Sequence, residues 1–482
     1  MLWFGLSRAN SCKLKFVSDS TVMKFGGTSV GGVEAFARVA RIISLFREAQ
    51  PVVVVSAMTK MTDALLFCAQ NALDNQPQVA QEHLETQLER HEMVANYFLD
   101  GSAKTGFNRL LQTTRAELHN LFQDACDRLL PRPILQDAIV AYGEYLSANL
   151  LALVLCANDL PARFVDPRFC IVTDNQHGKA APLWEETGQY TRSELFPVVD
   201  EGVIPVLGGF IGATISGKTT TLGRGGSDFS AAIIGAMLAA REVQIWTDVP
   251  GVMTADPRLV TTTRTVPSMT YDEAAELAYF GAKVLHPQTI QPAIEYAIPV
   301  RVLNSFDPQN PGTIISNRSD AAPQLLKAIA HKKDITVLRI TSERMVGSWG
   351  FLRAIFEVFD RYRTSIDVIA TSEASVSMSL DNDPNLEAIK HELERFGEVC
   401  IERNQAVICV VGEGLRETAG MAAKIFASLE NINVSMVSHG ASSVNLTFVV
   451  AEEDMSAAVN NLHDEFFSGT GLEVENFADN QN

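Results

Sequence analysis

Apolar and polar positions along residues 20–316 alternate in a way that predicts a mostly parallel sheet between helices. Short, continuously apolar runs such as residues 51–55 are typical of strands that are covered on both faces. Between such runs, apolar residues recur at helical spacing, as in residues 33–47, and residues 63–157 have an almost entirely helical pattern. Strands and helices that alternate over this length predict one large α/β domain.

The pattern changes after the polar stretch 317–323. A strand, a glycine-containing loop, a helix and a hairpin follow in that order, and the same order returns with a period of about 70 residues. The predicted strands 335–340 and 406–411 begin the two copies. We therefore predict two small duplicated modules, whose strand edges are suited to pairing with each other or with a second chain.

Charge and composition narrow the classes of partner. The formal net charge of −18 argues against binding to nucleic acid or to an anionic membrane, because such surfaces attract basic faces. The sequence shows no apolar run that we judge long enough to span a bilayer, and residues 1–19 lack the features of a signal peptide, so we interpret them as a disordered leader. The 7 cysteines are scattered and never form a CxxC pair, which indicates reduced thiols in a cytoplasmic protein.

The segment 223–228 carries the densest candidate chemistry. Three glycines within four residues bring the backbone close to a ligand, and Arg224 lies between them. Ser227 and Asp228 are candidate N-caps of the helix predicted at about residues 228–240. Free N–H groups, a helix N-terminus and a guanidinium together favour a small anion, either carboxylate or phosphate. A tight turn without a ligand is the alternative.

A second glycine turn, residues 26–32, connects the predicted strand 22–25 to a helix. Lys24 lies two residues before this turn, where its ammonium can reach the phosphates that such turns bind. Glu144 lies on a mostly apolar helix, and a structural ion pair and a ligand contact are equally open for it.

Residues 212–219 match the GxxxxGK[ST] pattern of P-loops. A P-loop needs a helix to begin at its Lys-Thr pair, whereas β-branched residues follow Lys218 here. We therefore expect a solvated hairpin turn at Lys218 and no P-loop.

Four motifs in this order resemble those of aspartate kinases. They are Lys24-Phe25-Gly26-Gly27-Thr28-Ser29-Val30, residues 219–228, Trp246-Thr247-Asp248-Val249-Pro250-Gly251 and residues 280–287. The tail resembles the paired ACT modules of that family. The resemblance implies an amino-acid-kinase fold, with a mostly parallel central sheet between helices, followed by two βαββαβ-type ACT modules. The implied limits are 20–318 for the catalytic domain, 328–400 for the first ACT module and 401–475 for the second, with strands that the modules can share.

The implied reaction is the ATP-dependent phosphorylation of the side-chain carboxylate of L-aspartate to 4-phospho-L-aspartate. This reaction begins lysine, threonine and methionine synthesis. Mg²⁺ would be held by the ATP phosphates and not by direct protein ligands. Lys24 and Asp228 are the implied catalytic residues. The implied ATP-binding residues are Lys24, Phe25, Gly26, Gly27, Thr247, Asp248, Met253, Arg258, Lys283 and Val284, and the implied aspartate-binding residues are Thr62, Glu144, Arg224, Gly225, Gly226 and Ser227. Met253 stands where many relatives have tyrosine, which weakens the prediction of a stacked adenine.

The first duplicated module has the features of an effector site. A glycine-containing loop precedes a helix N-terminus that suits an α-carboxylate, and two nearby carboxylates suit a second ammonium group. Lysine has this combination of charges, and these segments resemble the lysine-sensitive branch of the family. The predicted effector residues are Met345, Ser348, Phe351, Leu352, Ser365, Asp367, Ser372 and Glu373. We also expect a homodimer or a dimer of dimers through the ACT modules.

Two other functions remain open from the sequence. One is a different amino-acid kinase, acting on glutamate or N-acetylglutamate, although Arg224 and Glu144 favour a free α-amino acid. The other is a catalytically silent amino-acid-binding regulator, which the intact Lys24, Asp228 and Lys283 disfavour.

Overall fold

The computed structural model describes residues 19–281, 287–318, 325–381 and 383–468. The chain divides into two compact units whose segments alternate along the sequence. Unit 1 contains the chain up to Asp248 with Gln288–Arg301 and Ser305–Pro308, and unit 2 contains Val249–Pro287, Val302–Asn304 and the chain from Gln309. The domain limits inferred from the sequence stay a prediction, and the leader expected at residues 1–19 lies almost wholly outside the described residues.

Unit 1 contains the first eight strands and the first eight helices. In chain order they are β1 (Thr21–Phe25), α1 (Val33–Leu45), β2 (Pro51–Val55), α2 (Met61–Leu73), α3 (Pro77–Phe98), α4 (Gly101–Cys126), α5 (Arg132–Val140), α6 (Tyr142–Ala157), β3 (Ala162–Phe164), β4 (Val172–Thr173), α7 (Trp184–Asp200), β5 (Ile204–Gly208), β6 (Ile211–Thr214), β7 (Thr219–Thr221), α8 (Gly226–Leu238) and β8 (Glu242–Thr247).

Five strands of unit 1 lie side by side in the order β3-β5-β2-β1-β8, and all are parallel. Every residue of β2 is buried, as its unbroken apolar run predicts for a strand covered on both faces. Parallel strands place their carboxyl ends at one edge of the sheet, so the loops that follow β1, β2 and β5 meet there. The strands β4, β6 and β7 form a second, smaller sheet.

The apolar stretch Arg132–Ala157 corrects one expectation from the sequence. Its 26 residues are long and apolar enough to cross a membrane by length and composition, the one such stretch among the described residues. It comprises α5 and α6, and 72% of its most apolar window is buried inside the protein, as in the core helix of a globular domain.

Unit 2 contains most of the remaining elements, and α10 and β10 cross between the two units along the chain. The elements are β9 (Ser268–Thr270), α9 (Tyr271–Tyr279), α10 (Pro287–Glu295), β10 (Val300–Asn304), β11 (Thr313–Ser316), β12 (Ala328–Thr341), α11 (Phe351–Tyr362), β13 (Val368–Thr371), β14 (Ser375–Leu380), α12 (Leu386–Leu393), β15 (Glu398–Val411), α13 (Met421–Ala427), β16 (Val434–His439), β17 (Asn445–Ala451) and α14 (Met455–Phe467).

The duplication is visible in one six-stranded sheet of unit 2, in the order β13-β14-β12-β15-β17-β16. The order is symmetric, because β12 and β15 pair antiparallel at the centre and the two hairpins flank them. Each half packs its own apolar core against its own helices, around Ile355 in one half and around Ile425 in the other. Because the two equivalent modules share one sheet, neither needs a large apolar core of its own.

Two local expectations are settled by the hairpin and the helix near residue 220. Lys218 is exposed on the turn between β6 and β7, and Thr219 begins a strand, so residues 212–219 do not form a P-loop. The helix α8 begins at Gly226, and its N-cap is Gly225 in the left-handed region, with φ of 71°. The expectation that Ser227 or Asp228 caps this helix was therefore wrong, because both lie inside its first turn.

Candidate active site

A cavity of about 810 Å³ opens at the carboxyl ends of β1, β2 and β5, and the described residues that line it all belong to unit 1. This is the edge where ligands collect in open α/β sheets. Backbone hydrogen bonds join the strand ends: the N–H of Ser56 donates to the Phe25 carbonyl over 3.0 Å, and that of Gly209 donates to the Val55 carbonyl over 2.9 Å. The walls of the cavity are thus fixed by the sheet itself.

Lys24 and Asp228 form an ion pair inside this cavity. The Lys24 Nζ lies 2.6 Å from the Asp228 Oδ1, and the two side chains are 12% and 20% exposed. Lys24 belongs to β1, and Asp228 belongs to the first turn of α8. The ion pair holds the Lys24 ammonium near the N-terminus of α8. An anion that binds there is attracted both by the ammonium and by the positive end of the helix dipole.

The loop that carries Arg224 depends on two glycines. Gly225 has φ of 71°, and a methyl group there would lie 2.6 Å from the Thr289 Cγ2, so both conformation and space require glycine. Gly209 follows β5, and a Cβ there would lie 2.7 Å from the Ser227 Cα. The close approach of β5 to α8 brings Ser227 to the cavity.

Arg224 is exposed and lines the cavity. No ion pair of Arg224 occurs among the residues that the structure describes. Its guanidinium is thus available for a planar anion such as a carboxylate, which it can bind through two parallel hydrogen bonds.

Glu144 is the buried acid of the cavity. It lies in the first turn of α6, and its Oε2 accepts no hydrogen bond from any described residue. Burial raises the pKa of its carboxyl to about 8, although a hydrogen bond from the backbone of Ala57 partly opposes this. A buried acceptor with an unused oxygen fits a ligand that brings its own positive charge.

The glycine turn after β1 is held from two sides. The Thr59 hydroxyl donates to the Gly27 carbonyl over 2.7 Å, and the Arg90 Nη1 donates to the Thr59 carbonyl over 2.7 Å. The Arg90 Nη2 also donates to the Gly31 carbonyl over 3.3 Å. Arg90, on α3, thereby fixes the two loops that carry the candidate phosphate-binding backbone.

Comparison with known proteins places this geometry in a family. Residues 19–304 match the amino acid kinase family, and residues 408–466 match an ACT domain. Lysine-sensitive aspartokinase 3 of Escherichia coli is 34% identical over 464 residues, which cover 94% of this chain and all of that protein. The chain belongs to the aspartokinase family.

Solved structures of E. coli aspartokinase III agree with this membership. The complex with lysine and aspartate, in the T-state, has a TM-score of 0.80 at 34% identity and covers 93% of this chain and 100% of the other. The complex with aspartate and ADP, in the R-state, has a TM-score of 0.75 with the same identity and coverage. The mixed α/β fold with C-terminal ACT modules, expected from the sequence, is confirmed.

Most residues that the resemblance assigned to substrates meet in the cavity of unit 1. They are Lys24, Gly27, Thr62, Glu144, Arg224, Gly225, Gly226, Ser227 and Asp228. Phe25 and Gly26 connect Lys24 to Gly27 along the chain, and the Gly26 N–H donates to the Trp246 carbonyl over 3.4 Å. In this member of the aspartokinase family, residues from four distant parts of the sequence therefore share one cavity.

The other predicted nucleotide residues are placed differently. Thr247 is the last residue of β8, and Asp248 ends the first segment of unit 1. The Thr247 hydroxyl donates to the Asp248 carboxylate over 3.2 Å. Met253 and Arg258 belong to unit 2, where Arg258 is 82% exposed and pairs with Asp256. The predicted residues Lys283 and Val284 lie outside the described residues, as does the segment around His286.

The cavity also contains residues that sequence reasoning missed. These lining residues are Asp63, Gln136, Asp137, His177 and Phe210. Lys60 also lines the cavity, and its backbone has φ of 67°, a left-handed conformation that costs a residue such as lysine about 1–3 kcal/mol. This strain is visible in the structure and not in the sequence. Asp137 and His177 come from separate segments, and no local pattern connects them.

The predicted effector residues belong to unit 2, and they stay a prediction as a site. Met345, Ser348, Phe351 and Leu352 surround the loop that leads into α11, whose N-cap is Gly350 with φ of 78°. Their predicted partners are Ser365, Asp367, Ser372 and Glu373. Asp367 has a 4% exposed side chain, which accepts hydrogen bonds from the Lys332 ammonium over 2.9 Å and from the Tyr279 hydroxyl over 2.6 Å.

Proposed function

We propose that this chain phosphorylates the side-chain carboxylate of L-aspartate with ATP, giving 4-phospho-L-aspartate, the first step of lysine, threonine and methionine synthesis. One observation carries the proposal: the cavity combines a buried carboxyl with an unused oxygen, at Glu144, and an exposed guanidinium without an ion pair among the described residues, at Arg224. A free amino acid offers the complementary pair of charges. Membership of the aspartokinase family supports this choice of substrate.

The substrate ammonium is proposed to pair with Glu144. The α-carboxylate is proposed to bind Arg224 and the backbone of Gly225, Gly226 and Ser227. Thr62 is proposed to contact the same substrate. The nucleophile is a carboxylate with a pKa of about 4, which is ionised at neutral pH, so the reaction needs no general base. Catalysis then rests on bringing an anion against a polyanion and neutralising the charge.

The ATP phosphates are proposed to meet Lys24 and the backbone of Phe25, Gly26 and Gly27, while Asp228 orients the Lys24 ammonium. Mg²⁺ is proposed to arrive bound to the ATP phosphates, as the family resemblance implies. The proposed nucleotide roles of Thr247, Asp248, Met253, Arg258, Lys283 and Val284 rest on the family resemblance.

Acyl phosphate formation tests the proposed reaction. The full-length protein is incubated with ATP, Mg²⁺ and L-aspartate, and the product is trapped with hydroxylamine as aspartate β-hydroxamate. Glutamate and N-acetylglutamate serve as controls, because they are substrates of other amino-acid kinases. Hydroxamate from aspartate alone supports the proposal, and the same turnover with glutamate, or none with any acid, contradicts it.

Feedback inhibition by lysine is proposed through the first ACT module. The E. coli aspartokinase 3 is named lysine-sensitive, and a structure of it contains lysine. In this chain the proposed site is formed by Met345, Ser348, Phe351, Leu352, Ser365, Asp367, Ser372 and Glu373. Inhibition by millimolar lysine, but not by threonine, would support this effector.

A homodimer or a dimer of dimers through the ACT modules, in the cytoplasm, is also proposed. Large apolar side chains are exposed in this part of unit 2, including Trp349 at 100%, Ile369 at 42% and Val437 at 40%. Ile369 and Val437 belong to β13 and β16, the outermost strands of the six-stranded sheet. Light scattering of wild-type protein and of Ile369→Lys tests this, and a wild-type monomer at micromolar concentration contradicts it.

A further inference from the structure

One wall of the cavity is assembled around a single buried carboxylate, that of Asp137 on α5, with a side chain only 3% exposed. It accepts hydrogen bonds from the His177 Nδ1 over 2.8 Å and from the Thr221 hydroxyl over 2.6 Å. The backbone N–H of Gly178 donates to both carboxylate oxygens, over 3.1 and 3.0 Å. Asp137 thus joins α5, the loop before α7 and the strand β7, all within unit 1.

The loop that carries Arg224 rests on the segments that Asp137 joins. A Cβ at Gly223 would lie 3.2 Å from the Gly178 carbonyl oxygen and 3.5 Å from the Lys179 Cα, so the two loops are in contact. Thr221 precedes Gly223 by two residues, and its carbonyl accepts from the Ala180 N–H over 2.9 Å. The Asp137 carboxylate therefore fixes both the loop at Gly178, which contacts Gly223, and the strand β7, which leads to Gly223.

His177 secures the same contact from the loop side. Its side chain is 8% exposed and lines the cavity, and its Nδ1 is committed to Asp137. Because the partner is a carboxylate, the Nδ1 carries a hydrogen, and the orientation of the ring is fixed. A buried carboxylate that holds an imidazole in place is a common means of positioning a site.

We propose that Asp137 and His177 are positioning residues for Arg224. They hold the loop around Gly178 beneath Gly223, and so place the guanidinium where it binds the carboxylate of the acidic substrate. The glycine turn proposed for ATP is held by other contacts, those of Thr59 and Arg90. Affinity for aspartate, but not for ATP, should therefore depend on this pair. The inference rests on the proposed role of Arg224 in binding aspartate.

Steady-state kinetics of Asp137→Asn tests the proposal. Asparagine has the shape of aspartate, but its NH2 group cannot accept hydrogen bonds. In the variant this group would face two donors that now bind a carboxylate oxygen, so this wall of the cavity must rearrange. We expect the KM for aspartate to rise about tenfold while the KM for ATP changes less than about twofold. Asp166→Asn is the matched control, because Asp166 also binds a backbone N–H and an ion-pair partner, Arg168, but does not line the cavity.

Three variants of His177 separate positioning from direct contact with substrate, and they carry the test if Asp137→Asn does not fold. The amide nitrogen of His177→Asn replaces the Nδ1 and can keep the bond to Asp137, whereas that of His177→Gln replaces the Nε2. We expect a near-normal KM for aspartate in His177→Asn and an increase in His177→Gln and His177→Ala. A normal KM in His177→Gln with an increase in His177→Asn would overturn positioning in favour of direct substrate contact.

Equal increases in both KM values for Asp137→Asn would also overturn the proposal, as would three His177 variants with the wild-type KM for aspartate. The wild-type protein distinguishes these failures from a failure of the proposed function. If wild type forms no aspartyl phosphate, the proposed function is wrong. If wild type is active and the variants keep its KM for aspartate, only the role of Asp137 and His177 is wrong.

Discussion

The cavity of unit 1 and the predicted effector segments of unit 2 both contain a nearly buried carboxyl group, but the hydrogen bonds of the two groups differ. Glu144 keeps an oxygen without a hydrogen bond from any described residue. Asp367 already binds the Lys332 ammonium and the Tyr279 hydroxyl, and Lys332 also lies 2.6 Å from Asp381. A ligand ammonium therefore finds an open acceptor in the cavity, whereas at Asp367 it competes with a lysine of the chain itself.

The two groups would respond to a ligand ammonium in different ways. A cavity with an open acceptor can bind substrate without rearrangement, which suits chemistry that depends on positioning. A site whose acceptor must exchange partners couples binding to a local change. Tyr279 is the last residue of α9, so a change at Asp367 reaches the end of that helix directly. Such a change is what an effector needs in order to favour one state of an enzyme.

The largest effect is expected from Lys24→Met, which removes the cation of the cavity that is paired with Asp228. A cation about 4 Å from the charge developing on the phosphoryl group is worth roughly 4 kcal/mol at an effective dielectric near 20. Turnover should therefore fall about a thousandfold while the protein stays folded. Coupled measurement of ADP release checks this, and a variant with a third of wild-type turnover would contradict the role of Lys24.

A smaller effect is expected from Glu144→Gln. The raised pKa of Glu144, about 8, means that the carboxyl is mostly protonated at pH 7 and ionises as the pH rises. Since the carboxylate is the form that binds the ammonium, the KM for aspartate should fall about tenfold between pH 6 and 7, about fivefold between pH 7 and 8, and then level off. Glu144→Gln should raise the KM at pH 8 by tens of fold and remove this pH dependence. An unchanged slope in the variant would contradict the assignment.

A moderate effect on lysine inhibition is expected from Lys332→Met. Without its internal ammonium, Asp367 should accept the ammonium of lysine more readily, and the lysine concentration for half-inhibition should fall about fivefold, at the low end of allosteric couplings. Lys333→Met is the matched control, because the neighbouring Lys333 is exposed. Asp367→Ala should weaken inhibition. Equal sensitivity in wild type and Lys332→Met would show that the exchange of partners does not limit lysine binding.

The smallest effect is expected from Lys218→Ala. Lys218 lies on the exposed turn between β6 and β7 and does not line the cavity. Turnover and the KM for ATP should stay within about twofold of wild type, which is the effect of a typical surface change. Loss of ATP binding in this variant would contradict the amino-acid-kinase geometry and restore the P-loop interpretation of residues 212–219.

The sequence predicts those parts of the molecule that depend on neighbouring residues. Three examples are the glycine turn after Lys24, the loop around Arg224 and the hairpin at Lys218. Each is determined by about ten neighbouring residues, because glycine conformations and strand propensity act locally. The duplication is equally readable, because each module repeats its own pattern of apolar positions. These elements are where the sequence suggests them.

Contacts between distant segments were not predictable in this way. Asp137, His177 and Thr221 come together only because three separate segments converge on one wall, and Lys332, which binds Asp367, belongs to β12. The cap of α8 was mispredicted for a local reason. Serine and aspartate are strong N-caps, but the left-handed conformation at the start of this helix selects Gly225 instead.

The most direct test of the account is a count of the protons exchanged when aspartate binds. Isothermal titration calorimetry at pH 7, in buffers with different enthalpies of ionisation, measures that number without turnover. If the substrate ammonium pairs with Glu144, whose burial raises its pKa to about 8, wild type should release most of one proton per aspartate bound. Glu144→Gln should release none. Aspartate binding to wild type without proton release would contradict the central claim that Glu144 receives the substrate.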